Sequence, residues 1–255
     1  MHATLPAPMT LPEALLVLVA GFAAGTINTI VGSGTLITFP VLLALGYAPV
    51  TANVSNSLGL VPGSASGALG MRRELAGQRA RLLRLGSASL CGGVLGAVLL
   101  LVLPASAFRA IVPALIALAL VLVVAQPWLA GRLAHRPRRP HGGPLVWLGV
   151  LGAGVYGGYF GAAQGVLLVG LLGATLPDSL HRINATKNVL AGMVNGVAAL
   201  IFVVVAHIAW LPAGLIAAGS IVGGQVGART ARRLSPWALR AVIIVVGLVA
   251  IVRLV

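Results

Sequence analysis

The sequence predicts an all-α polytopic membrane protein built from two inverted-topology repeats, each a broken, re-entrant helical hairpin followed by three transmembrane helices. Three observations predict it. Hydrophobic residues make up 59% of the 255-residue chain and charged residues 8%, and apolar runs near the spanning length of ~20 residues recur from end to end. At a lag of 131 residues SLCGGVLGA, from Ser89, aligns with SIVGGQVGA, from Ser220, and the same ungapped register pairs Gly34 with Gly165, Asn53 with Asn184 and Arg109 with Arg240. Finally, the first apolar element of each half is too long to cross once without bending.

The elements follow in order. The first repeat, residues 1–130, contains apolar stretches at 12–46, 51–70, 82–103 and 106–129. GRLAHRPRRPHGG, residues 131–143, is a basic linker by its prolines, glycines and charges. The second repeat, 144–255, restates the pattern at 144–177, 182–206, 211–229 and 236–253. At 1.5 Å per residue, a straight helix over 12–46 would measure roughly 50 Å against a hydrocarbon core of ~30 Å. The bends are expected at Gly32 to Gly34 and at their equivalents, Ala163 to Gly165.

Charge placement gives the hairpins their direction. The net charge of +14 is carried in short arginine clusters between apolar runs, the pattern of membrane orientation signals and not of nucleic-acid binding. Arg72, Arg73, Arg79 and Arg81 follow the second element, and Arg132, Arg136, Arg138 and Arg139 fill the linker. In the second half, Arg182 and Lys187 open the second element and Arg229, Arg232 and Arg233 follow the third. All four groups are cytoplasmic only if each long element enters and returns on one side, which turns the halves opposite ways. The N-terminal residues lack the basic start of a signal peptide, so the first span is expected to be retained. The single cysteine, Cys91, excludes an intramolecular disulfide and a CxxC pair, and is expected to be a small core residue.

A helix that restarts inside the membrane leaves its first N–H groups without intrahelical acceptors and carries partial positive charge there. Gly32, Ser33, Gly34 and Thr35 at one bend, with Gln164 and Gly165 at the other, could offer such groups to an anion. Close helix packing is the alternative reading of the glycines. The elements that follow carry polar stripes: Asn53, Ser57 and Ser64 in one half, Asn184, Asn188 and Asn195 in the other, with Asn56 and Lys187 as equivalents beside them. Two readings stand for each: Asn53 and Asn184 as helix caps or polar walls of a site, Lys187 as a snorkelling end charge or the cation that draws an anion inward. Tyr156 and Tyr159 are packing groups or hydroxyl donors, and His207 with Trp210 suits an outer interface.

Glu13, Glu74 and Asp178 are the chain's only carboxylates, and all fall at element ends or in loops. No buried pair is available for a carboxylate proton relay, a sodium cage or acid–base catalysis, so neither an enzyme nor a cofactor is expected. An anion leaving a cell that is negative inside needs none of these, because the potential contributes ~2.3 kcal/mol per charge per 100 mV.

The stretches GFAAGTINTIVGSGTLITFPVLLALGYAPVTANVSNSLGLVPGS, YGGYFGAAQGVLL, INATKNVLAGMVN and SIVGGQVGARTARRL resemble the TauE/SafE family of sulfite and organosulfonate exporters, and the resemblance covers essentially the whole chain. It implies a multi-pass permease of the bacterial inner membrane that exports sulfur-containing anions such as sulfite or sulfoacetate. The duplicated Gly-rich segments would lie at its centre, with lipid and a small anion as partners and homo-oligomerisation left open. Many members carry three consecutive glycines at each break. Here the breaks read GSG and AAQ, so Ser33 and Gln164 bear on which anion passes. A channel-like facilitator of another small anion and a non-transporting assembly partner are the competing readings.

Overall fold

The computed structural model describes residues 9–133 and 143–231, together with Ala241, Ile244, Val245 and Leu248. Most of the predicted linker and of element 236–253, with Arg136, Arg138, Arg139, Arg232, Arg233 and Arg240, lies outside the described residues. The described residues form α1 (Leu11–Ile30), α2 (Thr35–Ala44), α3 (Pro49–Gly70), α4 (Arg79–Val102), α5 (Ala105–Leu133), α6 (Pro144–Tyr159), α7 (Gln164–Thr175), α8 (Leu180–Val205) and α9 (Trp210–Thr230), with no strand among them. Both overlong elements are therefore broken, 12–46 into α1 and α2 and 144–177 into α6 and α7. The protein is an all-helical, multi-pass membrane protein in which α1, α4, α5, α8 and α9 are long and apolar enough to cross. α3 has the length but not the hydropathy, because it carries Asn53, Ser55, Asn56, Ser57, Ser64 and Ser66, all buried in the bundle. A polar helix is tolerated at that depth because protein, not lipid, surrounds its polar side.

Local chemistry sets the helix starts. Thr10 N donates to Glu13 Oε2 at 2.8 Å ahead of α1, a capping-box contact, and Pro49 and Pro144 stand at first helical positions, where a missing N–H costs nothing.

The glycines of the two repeated segments do most of the close packing. A Cβ on Gly92 of α4 would lie 2.3 Å from Leu151 O of α6, and one on Gly96 would lie 2.1 Å from Val155 O. Their equivalents on α9, Gly223 and Gly227, press on α1 in the same way, at 2.0 Å from Phe22 O and 2.8 Å from Thr26 O. Each half thus packs its third element on the other half's first helix, at separations only glycine allows.

Within each broken element the chain folds back. Gly149 and Gly157 of α6 face Leu171 and Gln164 of α7, and the apolar residues Val146, Val150, Ala153, Leu168, Leu172 and Leu176 share one buried cluster. Gly34, at the start of α2, sits against Ala24 O and Asn28 Cβ of α1.

Ion pairs tie the loops at one end. Asp178, between α7 and α8, meets Arg81 Nη1 at 2.6 Å and Arg182 Nε at 2.7 Å, while Arg182 Nη2 donates to Ala76 O at 3.1 Å. At the same end Arg72, Arg73 and Arg229 line a cavity of about 810 Å³ with Leu69, Gly70, Glu74, Gln225 and Ala228. Far from it, Ser55 Oγ accepts from Ala209 N at 2.9 Å.

Cys91 corrects an expectation. It is exposed on α4 instead of buried, because α4 turns Ser89, Gly92, Gly93 and Gly96 toward its neighbours and leaves Cys91 outward with Leu90, Val94 and Leu95.

Candidate functional site at the two helix breaks

α1 ends by sending both Val31 N and Gly32 N to Ile27 O, at 2.7 and 3.1 Å, and Gly32 then turns the chain with φ +92°. α2 resumes with Leu36 N on Ser33 O and Ile37 N on Gly34 O. The N–H groups of Ser33, Gly34 and Thr35 meet no acceptor among the described residues. The second break turns through Gly161 (φ +79°) and Ala163 (φ +61°), the latter a left-handed alanine, a strained conformation of the sort that clusters at functional sites.

The two breaks touch. Gly165 N donates to Gly32 O at 3.0 Å, and a Cβ on either glycine would stand 2.4 Å from the other's Cα. A backbone hydrogen bond between the turn at Gly32 and the first turn of α7, so far apart in sequence, joins the halves beside their breaks.

The polar stripes serve the broken ends, each on the opposite half. Asn53 Nδ2 of α3 donates to Tyr159 O at the end of α6, at 2.9 Å. On α8, Asn184 Nδ2 and Asn188 Nδ2 donate to Thr29 O at 3.0 and 3.2 Å, and Lys187 Nζ donates to Asn28 O at 2.7 Å and Thr29 O at 3.1 Å. The terminal carbonyls that a helix leaves unsatisfied are thereby paired inside the bundle. Asn53 and Asn184 lie within their own helices, so they are not N-caps of them. Lys187 is fully buried, well inside α8, so it does not snorkel to an interface. Asn56, its repeat equivalent, is neutral and turns to α2 instead, donating to Thr35 Oγ1 at 3.2 Å and accepting from Thr38 Oγ1. Ser57 is buried on the same helix without a hydrogen bond to either break among the described residues.

Several buried polar atoms have no partner among the described residues: Ser33 Oγ, Gln164 Nε2, Asn53 Oδ1, Asn184 Oδ1, and the hydroxyls of Tyr156 and Tyr159. Orphaned polar atoms inside a membrane protein are costly unless something binds them. Phe39 and Phe160 meet edge to face at 5.2 Å, and Phe108 packs on Tyr159 at 5.6 Å, forming an apolar wall beside the breaks. The two predicted segments, Gly32 to Thr35 and Gln164 with Gly165, thus meet at Gly32 and Gly165; of the predicted polar residues Asn56 bonds Thr35, while Asn53, Asn184, Lys187 and Asn188 bond the carbonyls that end α6 and α1 beside them. Thr38, Asn28 and Met71 were not singled out from the sequence. Asn28 Nδ2 donates to Ser64 Oγ at 3.3 Å, and Asn188 Nδ2 lies 3.3 Å from Met71 Sδ. The repeat register, which sets Asn28 opposite Tyr159, was the available signal for the first. Among the described residues no cluster of His, Cys, Asp and Glu could hold a metal ion.

Residues 17–254 match the model of the family described as sulfite exporter TauE/SafE. The chain is 28% identical over 239 residues to "Probable membrane transporter protein YfcA" of Escherichia coli K12, covering 91% of this chain and 85% of that protein. It is 28% identical over 239 residues to "Probable membrane transporter protein ORF9" of a Sinorhizobium species, covering 92% and 90%. A "Probable membrane transporter protein" of Haemophilus influenzae is 26% identical over 242 residues, covering 92% and 91%. No solved structure matches the chain significantly.

Proposed function

Because the chain belongs to the TauE/SafE sulfite exporter family, a family of membrane transporters, we propose that it carries small sulfur-containing anions, sulfite or an organosulfonate, out across the bacterial inner membrane. The observation that carries this reading is the meeting of the two breaks beside unpartnered donors. The N–H groups of Ser33, Gly34 and Thr35 open α2, and Ser33 Oγ and Gln164 Nε2 are buried without partners among the described residues. Donors at a helix start, with the helix dipole behind them, suit an oxyanion. Lys187, on the adjacent helix, contributes positive charge to the same region, and Asn53, Asn56, Ser57, Asn184 and Asn188 form polar walls. Bound anion would contact Ser33 and Gln164 directly, the two positions where glycine is commoner in the family.

The halves face opposite ways in this reading. α9 runs toward the arginine-rich end and α4 away from it, as Arg229 and Arg81 indicate. α1 follows α9 in the same sense, Gly21 beside Ile216 and Gly25 beside Ser220, whereas α6 follows α4, Leu151 beside Gly92 and Val155 beside Gly96. The hairpins α1–α2 and α6–α7 then enter from opposite membrane faces, the arrangement in which substrate sites form at mid-membrane. The arginine end is cytoplasmic by the positive-inside tendency.

Efflux of labelled sulfite from proteoliposomes tests the proposal. The expected result is saturable flux, accelerated by sulfite on the far side. Flux that never saturates would make the protein a channel-like facilitator. Unchanged flux in a Ser33→Leu, Lys187→Ala double variant would overturn the residue assignment.

A further inference from the structure

The charge that Lys187 lends to the proposed anion site is held by contacts of its own. Lys187 is 0% exposed, and its Nζ lies 2.7 Å from Asn28 O and 3.1 Å from Thr29 O, the last carbonyls of broken helix α1. No carboxylate is at hand: Asp178 is taken by Arg81 and Arg182, Glu13 by Thr10, and Glu74 lies in the loop after α3. What faces the ammonium is the negative end of a helix dipole. Beside it, Asn184 binds the same Thr29 carbonyl through Nδ2 while its Oδ1 stays buried without a partner among the described residues. Carbonyls at the C-terminal end of a broken helix, joined by a side-chain oxygen, form the sort of oxygen-rich site that holds a coupling cation in ion-driven transporters.

We infer that Lys187 is a resident cation: its tethered ammonium fills an alkali-cation site at the end of α1, so that this protein stabilises its broken helix, and moves its substrate, without a sodium ion there. The other half supports the contrast. At the equivalent position Asn56 is neutral and bonds to Thr35 and Thr38, and the end of α6 receives the amide of Asn53. Among the described residues, one of the two breaks therefore carries a built-in charge. Gly165, whose added Cβ would stand 2.8 Å from Lys187 Cδ, leaves the lysine stem room to reach the carbonyls past the second break. Lys187 is thus a positioning residue for the α1 terminus, and the inference rests on the chain being a transporter of this family, not on which anion it carries.

Thermal unfolding of the purified protein in micelles, in choline, sodium, potassium or methylammonium chloride, tests this independently of substrate. Wild type should melt at one temperature in all four salts. Lys187→Ala should melt at least 5 °C lower in choline and recover most of that loss in tens of millimolar sodium or methylammonium, since an ion that binds only the folded state raises its stability. Lys187→Gln, which keeps volume and a donor but no charge, guards against a variant that fails to fold and should also melt lower in choline than in sodium. Proteoliposome efflux should show the same split, cation-independent in wild type and sodium-dependent in Lys187→Ala. If both variants respond to the four salts as wild type does, or if wild type itself needs sodium, the inference falls, while the proposed anion site stands or falls on its own flux test.

Discussion

Gly165 N donates to Gly32 O at 3.0 Å, so a backbone hydrogen bond joins the two broken elements directly. Gly32 has φ +92°, and its added Cβ would meet Gly165 Cα at 2.4 Å. Gly32→Ala therefore combines left-handed strain with a backbone clash, and a loss of about 2–5 kcal/mol is expected. Gly46 has φ +84° with nothing within 4 Å of an added Cβ, so Gly46→Ala should cost only the strain, about 1–2 kcal/mol. Melting temperatures of the two variants in micelles check the ranking. Equal losses would mean the breaks do not touch.

The capping of the broken ends is unequal, which gives a second expectation. Tyr159 O receives Asn53 Nδ2, whereas Thr29 O is shared by Asn184, Lys187 and Asn188. Asn53→Ala should leave a buried carbonyl unsatisfied and destabilise by about 1–3 kcal/mol. Asn188→Ala leaves two donors on Thr29 O and should cost under about 1 kcal/mol. Denaturant unfolding of both variants decides it, and the reverse order would contradict the shared-cap arrangement.

Asp178 ties the α7–α8 loop to Arg81 in the first turn of α4 and titrates outside the membrane. Burial acts to raise its pKa, but the hydrogen bond from Arg81, the charges of Arg182 and Arg81 and the Ser179 N–H outweigh burial and hold the carboxyl below the usual carboxylate range. A depressed folded pKa means stability that is fully present above the unfolded value, about 4, and lost as pH falls through the folded value. The melting-temperature gap between wild type and Asp178→Asn should be constant from pH 7 to about pH 5 and shrink below about pH 4. A gap that persists unchanged to pH 3 would mean Asp178 does not act through its charge.

The fold was legible because the repeat and the lengths of the apolar runs are strong signals. The first overlong element breaks at 31–34, where Gly32 to Gly34 were expected to bend it, whereas the second breaks at 160–163, slightly ahead of the expected Ala163 to Gly165, because Gln164 and Gly165 already belong to the first turn of α7. The polar residues near the breaks were legible, but the partners they hold were not. Nothing in the sequence states that Asn53 would reach Tyr159 and Asn184 would reach Thr29, because that follows from each half packing on the other, through Gly92 and Gly96 on α6 and Gly223 and Gly227 on α1. Cys91 misled for a similar reason. Its small size suits a core, but the glycines beside it claimed the buried face of α4.

The opposed hairpins make the sharpest prediction of topology. Ala48 and Ser179 are both exposed, one following hairpin α1–α2 and the other following α6–α7. In the proposed inverted arrangement, with α1 following the direction of α9 and α6 that of α4, these two positions lie on opposite faces, with Ser179 beside the Asp178 ion pairs at the arginine-rich end. The single native cysteine is exposed on α4 and must first be replaced, as Cys91→Ala, to give a silent background. In right-side-out vesicles an impermeant maleimide should then label Ala48→Cys at once and Ser179→Cys only after permeabilisation. Labelling of both from one side would reject the inverted hairpins and return the halves to parallel repeats.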